Sequence, residues 1–230
     1  MVYLATSRWP EIGSPDVVLI PLGSTEQHGP HLPFDTDTVI ACAVADALAI
    51  ELEASSCSVV VSPALPLGAS GEHQDFPGTL SMGHEALRHV VIELARSAQS
   101  WVPRVVFVNG HGGNAPVLAE AIDQLVAEGH NAFWVPCGIP GQDAHAGREE
   151  TSLMLHLAPE TVDMSLASPG TTQPLAELLP LMIEAGVRKV SPNGVLGDPT
   201  GATSEEGHSL VVQMTARVLP KVLKFIQESS

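Results

Sequence analysis

Potential chemistry in this chain gathers in a few short stretches rich in histidine, acid and glycine. The first, GSTEQHGPHLPFDTD at 23–37, sets Glu26 and His28 two residues apart and places Asp37 nine residues after His28. In an extended backbone a spacing of two sends both side chains to one side, so a carboxylate and an imidazole can meet one ion. Gly29, Pro30 and Pro33 make a turn region able to fold the chain back and return Asp37 to the same place. Its two oxygens could bridge a pair of divalent ions roughly 3.5 to 4 Å apart, as in many hydrolytic centres. A second stretch, NGHGGN at 109–114, offers His111 as a ligand among glycines that let the backbone come close to a bound group. Imidazole mixed with carboxylate suits zinc, iron or manganese better than calcium.

The third stretch, DAHAGREETS at 143–152, stands at the head of a helical pattern. His145 could shuttle a proton between an attacking water and a leaving nitrogen. Glu150 could complete the shell of a second ion, and Arg148 could pair with a substrate carboxylate or with Glu149 or Glu150. Each residue also has a plainer reading: Glu26 as a surface acid, His28 as a loop donor, Glu150 as an acid satisfying a helix N-terminus. What favours chemistry is the coincidence of such residues in three separate loops. His31, His84, His89, His130, His156 and His208 read as surface or hydrogen-bonded histidines, whereas His73 is the exception and a candidate substrate contact. Asp35 either orients a histidine or is a solvated loop acid. The chain lacks GxGxxG, GxxxxGK[ST] and GxSxG, which removes support for nucleotide chemistry and for a serine hydrolase.

These loops need a scaffold. Apolar runs at 17–22, 58–61, 105–108 and 132–135 read as buried strands. Helical spacing covers 38–53, 83–99 and 115–128; in the second, Leu87, Val90, Val91 and Leu94 share a face from which Arg88, Glu93 and Arg96 are excluded. Asn114 is the expected N-cap of the third, with Pro116 in its first turn. Helices at 147–157 and 174–185 follow, then a Gly/Pro-rich loop at 191–203 and an amphipathic helix at 205–227. The alternation predicts an α/β fold, a three-layer αβα sandwich on a mostly parallel sheet, with ligand-binding loops at the carboxyl ends of its strands.

Composition narrows the partners. Residues 1–230 are expected to form a single domain, since 44% apolar against 16% charged content suits one compact core. A net charge of −16, from 26 acidic and 10 basic side chains, would repel a phosphate backbone and argues against nucleic acid. Cys42, Cys57 and Cys137 stand singly, which argues against a disulfide framework and for a reducing cytoplasm. The most apolar stretch, 39–50, is short and interrupted by Asp46, so neither membrane spanning nor secretion is expected.

GSTEQHGPHLP with Asp37, FPGT at 76–79, NGHGGN at 109–114 and HAGREETSLML at 145–155 resemble, in order, the motifs of the creatininase family of metal-dependent amidohydrolases. The resemblance implies a ring-like homo-oligomer of αβα sandwiches. It also implies a binuclear centre in which Glu26 and His28 each serve one ion, Asp37 bridges both, and His111 joins Glu26. One departure stands out: creatinine-hydrolysing members carry a tyrosine and a metal-binding glutamate where this chain has Gly112 and Gly113. Glu150 is therefore expected to serve the second ion, and creatinine is disfavoured as the substrate. Within the family, SGEHQDFPGTLS at 70–81 and DAHAGREETSLMLHLAP at 143–159 are most similar to members that cleave a modified ribosomal peptide. That likeness implies release of a C-terminal Val-Tyr-derived fragment, the alternative being a small cyclic amide or a formamide.

Overall fold

The computed structural model describes residues 1–229. Its strands are β1 (Val2–Tyr3), β2 (Val17–Leu22), β3 (Val59–Val61), β4 (Val105–Asn109) and β5 (Ala132–Pro136). Its helices are α1 (Thr36–Ala54), α2 (Gly83–Ala98), α3 (Ala115–Ala127), α4 (Arg148–Leu157), α5 (Leu175–Ala185), α6 (Val187–Val190) and α7 (Ser204–Glu228). The five strands form one parallel sheet in the order β1-β3-β2-β4-β5. All six residues of β2 are buried, because the strand is paired on both edges and covered on both faces. Val17 and Leu19 pack with α1 and α7, whereas Val18, Ile20 and Leu22 pack with α2 and α3. That alternation produces the expected three layers. The two-residue strand β1 was not anticipated, being too short to show a period.

From β2 the chain moves to β3 on one side and afterwards to β4 on the other, so the order in which the parallel strands are laid down reverses between β2 and β4. Open parallel sheets bind ligands beyond the strand ends at such a reversal. Two glycines bring the first turn of α1 down onto this point. A side-chain carbon at Gly23 would overlap Thr38, and one at Gly110 would overlap the carbonyl of Asp37. Asp37 is thereby wedged between the ends of β2 and β4.

Asn114 departs from expectation. Its backbone is already helical, with φ −77° and ψ −19°, and its side chain caps nothing. The amide instead ties strand ends together: its oxygen accepts from Ala69 N at 2.8 Å, and its nitrogen donates to Gly23 O at 3.0 Å and Asn109 Oδ1 at 3.1 Å. Pro116 does occupy the first turn of α3.

On the opposite flank α4 lies against α7, so close that a side-chain carbon at Gly207 would strike the carbonyl of Ser152. Glu206 holds this crossing, accepting from Arg148 Nε at 2.8 Å and from Ser152 Oγ at 3.0 Å. Arg148 therefore pairs with Glu206 rather than with Glu149 or Glu150. Among the described residues no helix is long and apolar enough to cross a membrane.

Candidate metal centre

The segments leaving β2, β3, β4 and β5 converge above the sheet reversal. They bring Glu26, His28, Asp37, His73, His111 and His145 together in a buried cluster. His111 Nδ1 lies 3.2 Å from both Glu26 Oε1 and Asp37 Oδ2. His28 Nε2 lies 3.2 Å from Asp37 Oδ1 and 3.8 Å from Glu150 Oε2. Asp37 thus offers one oxygen to each of two ligand groups, Glu26–Asp37–His111 and His28–Asp37–Glu150. Glu26 and His28 also meet in a third group with His145, as their spacing of two allows. Ser24 Oγ donates to Asp37 Oδ2 at 2.7 Å and holds the carboxylate in place.

Two observations fit this cluster to cations. First, Glu26 is fully buried yet neither of its oxygens has a hydrogen-bond partner. His111, His73 and His145 stand 3.2, 3.3 and 3.7 Å from Oε1, but none is aligned as a hydrogen bond. A buried charge left in that state costs several kcal/mol, which a coordinated cation offsets. Second, three histidines give their outer nitrogen to a main-chain carbonyl. His28 Nδ1 donates to Glu26 O at 3.1 Å, His111 Nε2 to Ala69 O at 3.2 Å, and His145 Nε2 to Gln27 O at 2.7 Å. The opposite nitrogen of each then faces the carboxylates, which is how metal-ligating imidazoles are oriented by their surroundings.

Protonation follows the same geometry. Burial disfavours charge on His28, but the Asp37 carboxylate beside it outweighs burial and raises the imidazole to about 10. Burial likewise opposes charge on His111, and Glu26 with Asp37 holds it well above the usual range. The Asp37 carboxyl, pushed up by burial, is pulled well below its normal value by His28 and His111. Without a metal, protons on His28 and His111 therefore stand where cations would sit. Glu150 is pushed up to about 7 by burial, against the opposing pull of His28. Burial, aided by neighbouring imidazoles, drives His73 down to about 3 and His145 well below its normal value, so both are neutral at pH 7.

Residues that sequence reasoning passed over complete the surroundings. Gln27 is buried between His73 and His145. Glu72 Oε1 lies 3.6 Å from His111 Nε2, in space that any side chain at Gly113 would take. His31 is buried and bonded to Thr151 Oγ1 at 2.9 Å, while Asp35 is exposed and makes no hydrogen bond to it.

A parallel α/β sandwich with buried imidazole and carboxylate groups at its sheet reversal defines an enzyme of the metal-assisted hydrolase class. The family model for creatinine amidohydrolase matches residues 5–222, and the chain belongs to the creatininase family. It is 51% identical over 223 residues to the mycofactocin precursor peptide peptidase of Mycobacterium ulcerans, covering 95% of this chain and 87% of that protein. Identity to the protein of the same description from Mycolicibacterium smegmatis is 52% over 199 residues, covering 86% and 81%. A solved structure of creatininase described with manganese superposes with a TM-score of 0.80 at 25% identity, covering 97% of this chain and 98% of that one.

Proposed function

We propose that this enzyme hydrolyses an amide bond in a modified mycofactocin precursor peptide, releasing a C-terminal Val-Tyr-derived fragment. The substrate follows from the two peptidases sharing about half of its residues. The observation that carries the chemistry is Asp37, with one oxygen in each of two ligand groups. Two divalent ions, zinc, iron or manganese, would be held by Glu26, Asp37 and His111 and by His28, Asp37 and Glu150. When bound they supply Lewis acidity toward the amide carbonyl and make water acidic enough to attack near neutral pH.

The chain's own groups do the rest. His145 presents a bare Nδ1 toward the cluster while its Nε2 hydrogen is occupied by Gln27 O. It can therefore take a proton from the attacking water and return it to the departing nitrogen. His73, on the loop after β3, lies beside His145 with ring centroids 4.4 Å apart and is the group assigned to contact substrate. Arg148 is engaged by Glu206 on the outer flank, so the expected substrate contact from it would have to break that pair. A homo-oligomer is part of this reading, by its likeness to the family.

Incubating the metal-loaded enzyme with precursor peptide, creatinine and a formamide, and following products by mass spectrometry, tests the assignment. Release of the C-terminal fragment is expected, with His111→Ala losing both metal and turnover. Turnover of a small amide with the peptide left intact would transfer the activity to that substrate. A His111→Ala protein with full metal and full rate would remove the centre itself.

A further inference from the structure

The side chain of Gln27 enters the wall of the site and is 5% exposed. Two neighbours decide which way round its amide lies. Gly29 N–H has only a hydrogen to give and meets Oε1 at 2.8 Å, whereas Gly194 O has only lone pairs and lies 3.1 Å from Nε2. The amide nitrogen therefore faces Gly194, His73 and His145 with two hydrogens. His145 takes neither. Its Nε2 already donates to the Gln27 carbonyl at 2.7 Å, so it meets the amide nitrogen at 3.1 Å as donor beside donor. One hydrogen goes to Gly194 O and the other to His73 Nδ1, 2.9 Å away.

A neutral His73 that accepts at Nδ1 must carry its hydrogen on Nε2, and that nitrogen faces Glu26 Oε1 at 3.3 Å. His73 is thus opposite in polarity to its neighbours. His28, His111 and His145 spend an N–H on an outer carbonyl, which leaves the inward nitrogen as the one a cation or an incoming proton would take, whereas His73 accepts on its outer side and turns its own N–H inward. The three rings His28, His145 and His73 follow one another with centroids 4.3 and 4.4 Å apart, tilted by 37° and 44°, so acceptor and donor stand side by side.

We propose that Gln27 is a positioning residue that sets the hydrogen-bond polarity of both histidines, its side chain making His73 a donor and its main-chain carbonyl making His145 an acceptor. The His73 N–H then meets negative charge gathering on the substrate's carbonyl oxygen, and the bare His145 nitrogen meets the proton of water. Gly194 belongs to the same device. Its φ is +79°, and any side-chain carbon there would collide with Gln27 Oε1.

The proposal rests on the amide-hydrolase reading, yet its central claim is readable without substrate. In zinc-loaded protein with ¹⁵N-labelled histidine rings, His73 should show a protonated Nε2 and a bare Nδ1, its signals identified by their loss in His73→Gln. Gln27→Glu replaces the donor with an acceptor and should move the His73 proton to Nδ1. With zinc content unchanged, kcat on the precursor peptide should fall by about 10- to 100-fold and KM should stay nearly constant, the scale at which outer partners of such sites act. Gln27→Met should lower kcat similarly without reversing the ring. A wild-type His73 protonated on Nδ1 would overturn the proposal even if neither variant folds, and so would wild-type kcat in both variants. Absence of any hydrolysis by wild type would count against the hydrolase reading, leaving the ring spectrum to judge Gln27.

Discussion

The two ligand groups of the centre are built from different parts of the fold. Glu26, Asp37 and His111 come from the ends of β2 and β4 and the helix turn wedged between them, and they are 0%, 2% and 5% exposed. Their geometry is inherited from the β-ladder, with Gly23, Gly110 and Asn114 fixing the approach of the loops. The second group borrows Glu150 from α4, a helix of the outer layer. The Glu150 side chain is 23% exposed and accepts a hydrogen bond from Ala146 N at 2.6 Å. One group is thus part of the sheet's own architecture, and the other depends on how a helix docks beside it. The lesson is that one carboxylate, Asp37, joins a rigid half to an adjustable one.

Asp37→Ala gives the largest expected effect, because it removes a ligand from both halves. Metal analysis should find almost none bound and turnover should fall to background. Retention of one full equivalent would break the idea of a shared bridge. Glu150→Gln should strike the adjustable half alone. Titration should show one ion held normally and the other weakened by at least the roughly 10- to 100-fold that losing even an outer partner costs. Equal weakening of both ions would mean the halves are not separable. Arg148→Ala sharpens the comparison at its outer margin and should do least. Its pair with Glu206 has a 51% exposed arginine, so chemical denaturation should register only a small loss of stability with KM unchanged. A large rise in KM for the peptide would return Arg148 to the substrate.

The rigid half was readable in the sequence, and the reason is physical. A strand buried on both faces must be an unbroken apolar run, so VVLIPL and VVFV announced β2 and β4 and located the loops that follow them. Glu26, Asp37 and His111 then stood out as ligand-type residues in those loops, with His28 of the other half beside them. Side chains whose role arises only when distant loops meet were not legible. Gln27 has no charge and no periodicity to mark it, and its partners His73, His145 and Gly194 come from three other segments. Asn114 showed the converse error: a good cap by local rules, it is drawn away by backbone groups of Ala69 and Gly23. Arg148 likewise chose an acid far along the chain over its neighbours Glu149 and Glu150.

The contact between Gly207 and Ser152 gives the adjustable half a remote control. Glu150 rides on the first turn of α4, and the seating depth of that helix is set where it crosses α7. Bulk added at the crossing would tilt α4 like a lever and carry the carboxylate away from His28. On the proposed two-ion reading, affinity for one ion would in this way be retuned by residues that never touch it, leaving its companion undisturbed.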